Sequence, residues 1–212
     1  MQWTLVIPLK PLALAKSRLA DTAADGLRPG LALAFAEDTV AAALASAAVR
    51  DVAVVTDDAL AARSLAALGA RIVPDEPRAG LNAALEHGAA AVRAFRPDSA
   101  LAALNADLPA LRPPELTRVL EAAAEFPRAF LADAAAIGTT LLTAAPGSAL
   151  RPAFGADSRA RHRARGAEEL RLDAVDSVRR DVDTGEDLRA ALALGVGPRT
   201  AAATARLLIP GQ

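Results

Sequence analysis

Short apolar runs alternate with alanine-rich stretches of helical length along this chain, and that alternation limits its fold more than any other feature. Trp3–Pro8, 51–56, Arg71–Val73 and Ala100–Leu104 are each too short for a buried helix and read as strands. Between them, 31–48, the segment running to Leu68 behind Asp57 or Asp58, and Leu81–Phe95 read as helices, with Gly69 as a stop signal. Strands separated by helices require a largely parallel sheet covered on both faces. Further strands are expected at 128–131 and 140–143, with 170–172 extended. Helices are expected at 114–124 and 158–166, and a final one at 184–194 closed by Gly195. The expected fold is α/β, a three-layer sandwich around a mostly parallel mixed sheet, with residues 1–212 forming one domain.

Composition closes several classes of function. The chain has no cysteine, which excludes a disulfide framework, a thiol nucleophile, a zinc ribbon and an iron–sulfur centre. Two histidines argue against a multi-histidine metal site, so any metal would be a hard cation on carboxylate oxygens. A net charge of −1 with 3% aromatic residues argues against nucleic acid as a partner. The first apolar run lacks a basic leader and is broken by Pro8, so it reads as neither signal peptide nor membrane span, and a cytoplasmic location is expected. About a quarter of the residues are alanine, and arginine has displaced lysine everywhere except Lys10 and Lys16. Both lysines follow the first strand, and an ammonium point charge is not reproduced by a planar guanidinium.

In open α/β sheets ligands bind beyond the carboxyl ends of the strands, here loops 10–18, 56–58, 75–80 and 105–111. No G-x-G-x-x-G follows the first strand and no G-K-[ST] occurs, which removes two common nucleotide-binding motifs. Lys10, Lys16, Ser17 and Arg18 gather cations suited to a triphosphate, or form a solvated basic loop. Asp107, in Ala106-Asp-Leu-Pro109, is placed either to hold Mg²⁺ or simply to begin a helix. Asp181 and Asp183 are read as turned to opposite sides, one toward the site, ahead of a capping-box-like Thr184 and Asp187. At 154–158, Gly155 leaves room for an anion near free N–H groups at a helix start. Ser158 and His162 share a face of that helix. His162 reads as a hydrogen-bonded structural residue or as an acid–base group. Gly138-Thr139-Thr140 offers hydroxyls and close backbone approach.

These blocks, in this order and over nearly the whole chain, resemble the 2-phospho-L-lactate / phosphoenolpyruvate guanylyltransferase family of deazaflavin coenzyme F-420 biosynthesis. They are Trp3-x-x-x-Ile-Pro-x-Lys10, Ala15-Lys-Ser-Arg-Leu19, Ala106-Asp-Leu-Pro109, Phe154-Gly-x-x-Ser158 with His162 and Gly166, and Arg180-Asp-Val-Asp-Thr184. The resemblance implies a nucleotidyltransferase fold (GT-A-like, Rossmann-like) and transfer of GMP from GTP to the phosphate of phosphoenolpyruvate or 2-phospho-L-lactate, with release of pyrophosphate. It places Lys10, Lys16 and Arg18 against the GTP phosphates as catalytic cations, and Gly80 and Asn82 on the nucleotide side. Thr140, Gly155 and Ser158 would bind phosphoenolpyruvate, and Asp107 and Asp183 would hold Mg²⁺. The implied partners are GTP and a phospho-acid, without nucleic acid or membrane, in a monomer or a homodimer. Where the family carries a D-G-T-G-T-like turn, this chain reads Asp133-Ala-Ala-Ala-Ile-Gly-Thr-Thr140, with Ala136 and Ile137 replacing a glycine and a hydroxyl residue. A CTP- or molybdopterin-linked nucleotidyltransferase, or a degenerate nucleotide-binding domain without turnover, are the alternatives.

Overall fold

Trp3, Leu5 and Ile7 of strand β1 (Trp3–Pro8) pack into one hydrophobic cluster and Val6 into another, and all four are fully buried. A strand buried on both sides belongs in the middle of a sheet covered by two layers. The computed structural model describes residues 1–14 and 27–205. After a 3₁₀ turn at Leu12–Leu14 come α1 (Arg28–Leu44), β2 (Val49–Val55), α2 (Ala59–Ala67), β3 (Arg71–Val73), α3 (Leu81–Phe95) and β4 (Ala100–Leu104). The chain continues through α4 (Pro113–Ala123), β5 (Arg128–Ala132), β6 (Thr139–Ala144), α5 (Ser158–Ala164), β7 (Glu168–Glu169), α6 (Asp176–Arg179), α7 (Gly185–Leu194) and α8 (Pro198–Ala205).

The strands form one seven-stranded sheet in the order β3-β2-β1-β4-β6-β5-β7. It is parallel except at β6, which runs antiparallel to β4 and β5. Helices α1, α2, α4 and α6 cover one face with Val40, Leu65, Leu120 and Val178, and α3 covers the other with Leu85 and Val92. From β1 the chain moves outward through β2 and β3, then returns by α3 to place β4 on β1's other side. The crevice at such a reversal opens at the carboxyl ends of β1 and β4. Because β6 is antiparallel, its first residue, Thr139, arrives at that same edge.

Local signals explain many boundaries. Asp58, not Asp57, caps α2, accepting hydrogen bonds from Leu60 N and Ala61 N, both at 3.0 Å. Its other oxygen accepts from Leu12 N at 2.9 Å and ties down the loop after β1. These backbone donors hold the Asp58 carboxyl below its ordinary pKa against a larger opposing effect of desolvation, which the donors and Arg63 together outweigh. Three expectations are corrected. The segment 184–194 is not the last helix, because α8 follows it. The N-terminus of α8 is capped by Asp38 of α1, which accepts from Arg199 N and Thr200 N at 3.2 and 2.7 Å. No local sequence signal announces a cap supplied from so far away. Sheet pairing near 170 falls instead at Glu168–Glu169, where β7 joins β5. Helix α1 spans Arg28–Leu44 rather than 31–48, opened by Pro29 and closed early because Val49 already belongs to β2.

Gly88 lets α3 lie flat on the sheet, since a Cβ there would sit 2.6 Å from both Val55 Cγ2 and Val6 Cγ1. Those branched side chains have little rotamer freedom with which to yield. Gly88→Ala is expected to destabilise the chain by about 1–3 kcal/mol despite alanine's better helix propensity, read as a lower denaturant midpoint.

Candidate active site

A cleft of about 700 Å³ opens at the carboxyl edge of β1 and β4. One wall is acidic. Asp107, just beyond β4, and Asp181 and Asp183, on the segment before α7, all line it. The expectation that Asp181 and Asp183 face opposite ways is overturned. Both reach the cleft, while Val182 between them is fully buried with Leu31 and Phe35. In an extended segment residues i and i+2 share a side, so burial of Val182 presents both neighbours together. Val182 N donates to Asp107 O at 3.0 Å, which joins the two carboxylate-bearing segments. Thr39 Oγ1 of α1 accepts from Leu108 N at 3.0 Å and steadies the turn after Asp107. Burial pushes the Asp181 carboxyl up to about 7, and the negative charges of Asp107, Asp183 and Asp133 add to the shift. Asn105 Nδ2 donates to Asp181 Oδ2 at 3.3 Å.

Such a set of hard oxygen donors under mutual repulsion fits a divalent cation. Among the described residues no three acidic or imidazole groups are arranged to enclose an ion unaided, so further oxygens would have to come from substrate and water. Lys10 follows β1 and is an exposed cation lining the cleft. Lys16, Ser17 and Arg18 lie outside the described residues.

The opposite wall is built from loop 150–157, the start of α5 and the turn before β6. Gly155 and Ser158 both line the cleft. Gly155 has φ +110°, and a Cβ there would also approach Arg161 Nη2 at 3.1 Å, so glycine is required on two counts. The expected free N–H groups at the helix start are partly committed. Ser158 N donates to Gly155 O at 3.2 Å and Arg159 N to Ile137 O at 3.1 Å. Asp133 organises the turn before β6 by accepting from Ile137 N and Gly138 N at 3.0 and 2.8 Å. Ala136, where the family pattern has a glycine, takes a left-handed φ of +57°, a conformation in which a Cβ is disfavoured. Its carbonyl accepts from Arg159 Nη1 at 2.8 Å, which fastens the turn to α5.

Thr140 and Thr139 divide in a way the sequence does not reveal. Between β5 and β6 the register passes from Leu131↔Leu141 to Ala132↔Thr139, leaving Thr140 as the inserted residue of a bulge. A bulge reverses the side-chain alternation beyond it. Thr139 therefore lines the cleft, while the Thr140 hydroxyl is buried with no hydrogen-bond partner among the described residues. Gly80 and Asn82 flank the cleft-lining Leu81 without lining the cleft themselves. The side chain of Asn82 is engaged at both ends by Phe154, accepting from its N at 2.8 Å and donating to its O at 3.1 Å. Asn82 thus clasps the loop of Gly155 to α3. Asn105 and Asp133 are site residues that the sequence does not single out individually, and Thr139 takes the place that its spacing to Gly155 assigns to Thr140. Each lies inside a motif singled out from the sequence, but its orientation depends on tertiary contacts.

His162 lies fully buried behind this wall, edge-on to Phe154 with ring centroids 4.9 Å apart. Burial, reinforced by Arg165 and Arg161, lowers its pKa from 6.5 to about 4.

The family model described as "Guanylyl transferase CofC like" matches residues 3–207. The chain belongs to this family. A phosphoenolpyruvate guanylyltransferase of Streptomyces avermitilis is 82% identical over 100% of this chain and 98% of its own length. One of Streptomyces coelicolor is 80% identical over the whole of both chains. Among solved structures, a nucleotidyl transferase from Methanothermobacter thermautotroptrophicus aligns with a TM-score of 0.65 at 24% identity, covering 91% of this chain and 97% of that one. A CMP:2-keto-3-deoxy-manno-octonic acid synthetase complexed with CTP aligns at 0.56 and 17%, covering 92% and 98%. At those identities the likeness establishes the fold, and it confirms the expected nucleotidyltransferase architecture for this CofC-like chain. Among the described residues no helix is long and apolar enough to cross a membrane.

The buried imidazole makes a signed prediction. As pH falls below 6.5 the unfolded chain takes up a proton at His162 that the folded chain resists until about pH 4. Stability from this group is therefore full above 6.5 and declines by roughly 3 kcal/mol toward pH 4. His162→Gln lacks this loss, so its stability deficit relative to wild type should narrow on acidification from about pH 7 to 4 in paired denaturant titrations. Asp181 titrates alike in both chains and cancels.

Proposed function

We propose that this chain is a phosphoenolpyruvate guanylyltransferase, joining GMP from GTP to the phosphate of phosphoenolpyruvate with release of pyrophosphate, in coenzyme F-420 biosynthesis. The observation that carries the reading is the pairing of two walls across one cleft. An acidic wall of Asp107, Asp181 and Asp183 faces a wall that presents Gly155, Ser158 and Thr139 together with the carboxylates Asp133 and Asp157. An oxygen of the acceptor phosphate attacks the α-phosphorus of GTP, the bond from that phosphorus to the bridging oxygen breaks, and pyrophosphate leaves with the electron pair. Neither a covalent enzyme intermediate nor a protein nucleophile is needed, in keeping with a chain that has no cysteine. Catalysis then consists of orientation and charge neutralisation.

Lys10 holds the triphosphate from the β1 side, and the family pattern adds Lys16 and Arg18 from the following segment. Gly80 and Asn82 serve the nucleotide side indirectly, through the start of α3 and the clasp on Phe154. Gly155 and Ser158 hold the acceptor acid, and the family pattern adds Thr140, whose hydroxyl is buried rather than turned to the cleft. Asp107 and Asp183 are the residues proposed to hold Mg²⁺, with Asp181 beside them. When bound, that ion orients phosphate oxygens and offsets the charge that develops as pyrophosphate departs. Both substrates are small soluble metabolites, in keeping with the cytoplasmic location proposed for the enzyme.

Pyrophosphate release, measured with GTP or CTP and Mg²⁺ against phosphoenolpyruvate, 2-phospho-L-lactate and 3-phosphoglycerate, tests the reading. Turnover is expected with GTP and phosphoenolpyruvate. Preference for CTP, or no turnover with any pair, would overturn it. In the same assay Asp107→Asn should lower the rate at least ~100-fold, because a neutral amide is a poor ligand for a hard cation. Near-normal turnover at saturating Mg²⁺ would remove Asp107 from the metal site.

A further inference from the structure

His162 is buried, uncharged and unused by the reaction just described, yet both of its ring nitrogens are hydrogen-bonded. Ala153 N donates to Nε2 at 2.9 Å, and Nδ1 lies 3.0 Å from Thr139 Oγ1. A backbone N–H has no alternative role, so Nε2 must present a lone pair. A neutral imidazole carries a single proton, which therefore sits on Nδ1. Nδ1 then donates to Thr139, and the Thr139 oxygen accepts. The hydroxyl's own proton cannot point back at the ring. Among the described residues Thr139 Oγ1 has no other hydrogen-bond partner, and Thr139 lines the cleft beside Gly138 and Ser158.

We propose that Thr139 is an acceptor-binding residue whose hydroxyl proton is turned away from the ring by His162, leaving it free to donate to an anionic oxygen, phosphate or carboxylate, of the acceptor acid. His162 is the positioning residue. This assignment rests on the function proposed above and moves the acceptor contact from Thr140, the one chosen from the Thr139-Thr140 pair on sequence grounds, to Thr139. The bulge makes it possible, because the register shift at Thr140 is what turns Thr139 to the cleft. The depressed pKa agrees with the neutral ring, since a doubly protonated imidazole would set Nε2–H against Ala153 N–H. A hydroxyl polarised by an incoming hydrogen bond is a stronger donor, and a donor to a charged oxygen is worth more than one to a neutral group. A site arranged this way favours an acid over a neutral analogue that would present a hydrogen at the same place.

Two measurements on the full chain test this. In the first, ¹⁵N NMR of histidine-labelled protein in a His87→Gln background leaves one imidazole to read. The expected pattern is a protonated Nδ1 and an unprotonated Nε2, unchanged down to about pH 5. Titration with phosphoenolpyruvate should shift the Nδ1 proton resonance. A proton on Nε2, or a resonance that phosphoenolpyruvate leaves unmoved, overturns the proposal. In the second, Thr139→Val should raise the phosphoenolpyruvate KM about 10- to 100-fold with the GTP KM unchanged, and Thr139→Ser should restore it. An unchanged phosphoenolpyruvate KM in a folded Thr139→Val chain, or equal increases in both KM values, overturns it. Should the valine variant not fold, the NMR arm on the otherwise native chain still decides. If the wild-type chain releases no pyrophosphate from GTP and phosphoenolpyruvate, the functional reading fails, while the tautomer and the titration still decide the role of Thr139.

Discussion

Holding carboxylates together at one edge of a sheet is the constraint around which this molecule is arranged. Asp107, Asp181 and Asp183 repel one another, and the elevation of Asp181 to about 7 expresses that repulsion together with its burial. Electrostatics alone would drive these segments apart. They are kept in place by a backbone hydrogen bond from Val182 to Asp107 and by the full burial of Val182 against Leu31, Phe35 and Leu188. Burying a valine contributes about 1.5–3 kcal/mol, which offsets part of the roughly 4 kcal/mol that lifting a carboxyl from 3.8 to about 7 represents. The apolar residue between two acids is therefore as much a part of the site as the acids are.

The supports behind that wall come from distant parts of the chain. Thr39 of α1 receives Leu108 N, and one residue earlier Asp38 caps α8. Gly197, just before α8, donates to Pro109 O, and a Cβ at Gly197 would collide with Asp38 at 2.3 Å. The capping box of Thr184 and Asp187 starts α7 directly after Asp183 and so ends the extended segment at a defined residue. One helix, α1, thus braces both the turn after β4 and the C-terminal helix, coupling the acidic wall to the body of the domain.

The facing wall carries two carboxylates of its own, Asp133 and Asp157, where it meets the cleft. Asp133 folds the turn before β6 by accepting two backbone N–H groups, and Arg159 ties that turn to α5 while pairing with Glu169. Its rigidity is partly strained, since Ala136, Asp157 and Gly155 all have positive φ. Such conformations persist where surrounding contacts over-determine them, as binding loops often require.

The sequence alone determined the architecture and the edge of the sheet that carries the chemistry. Trp3–Pro8, Arg71–Val73, Leu81–Phe95 and Ala100–Leu104 are legible to the residue because apolar runs of distinct length end at proline, glycine or asparagine. The alternation of strand and helix then dictates where ligands bind. Asp107, Asp183, Lys10, Gly155 and Ser158 could all be picked out as strand-end or loop residues, and all line the cleft. Only tertiary structure decided orientation. The facing of Asp181 depends on where Val182 finds a core, and the exchange of Thr139 for Thr140 depends on a register shift against β5. The clasp of Asn82 on Phe154, the cap of Asp38 on α8 and the tautomer of His162 each require a partner that no local window of sequence contains. Local pattern specifies the backbone's hydrogen-bonding state because that state is satisfied by near neighbours in sequence or by a generic strand. The direction of a particular polar group is set by specific partners, and folding brings those together only at the end.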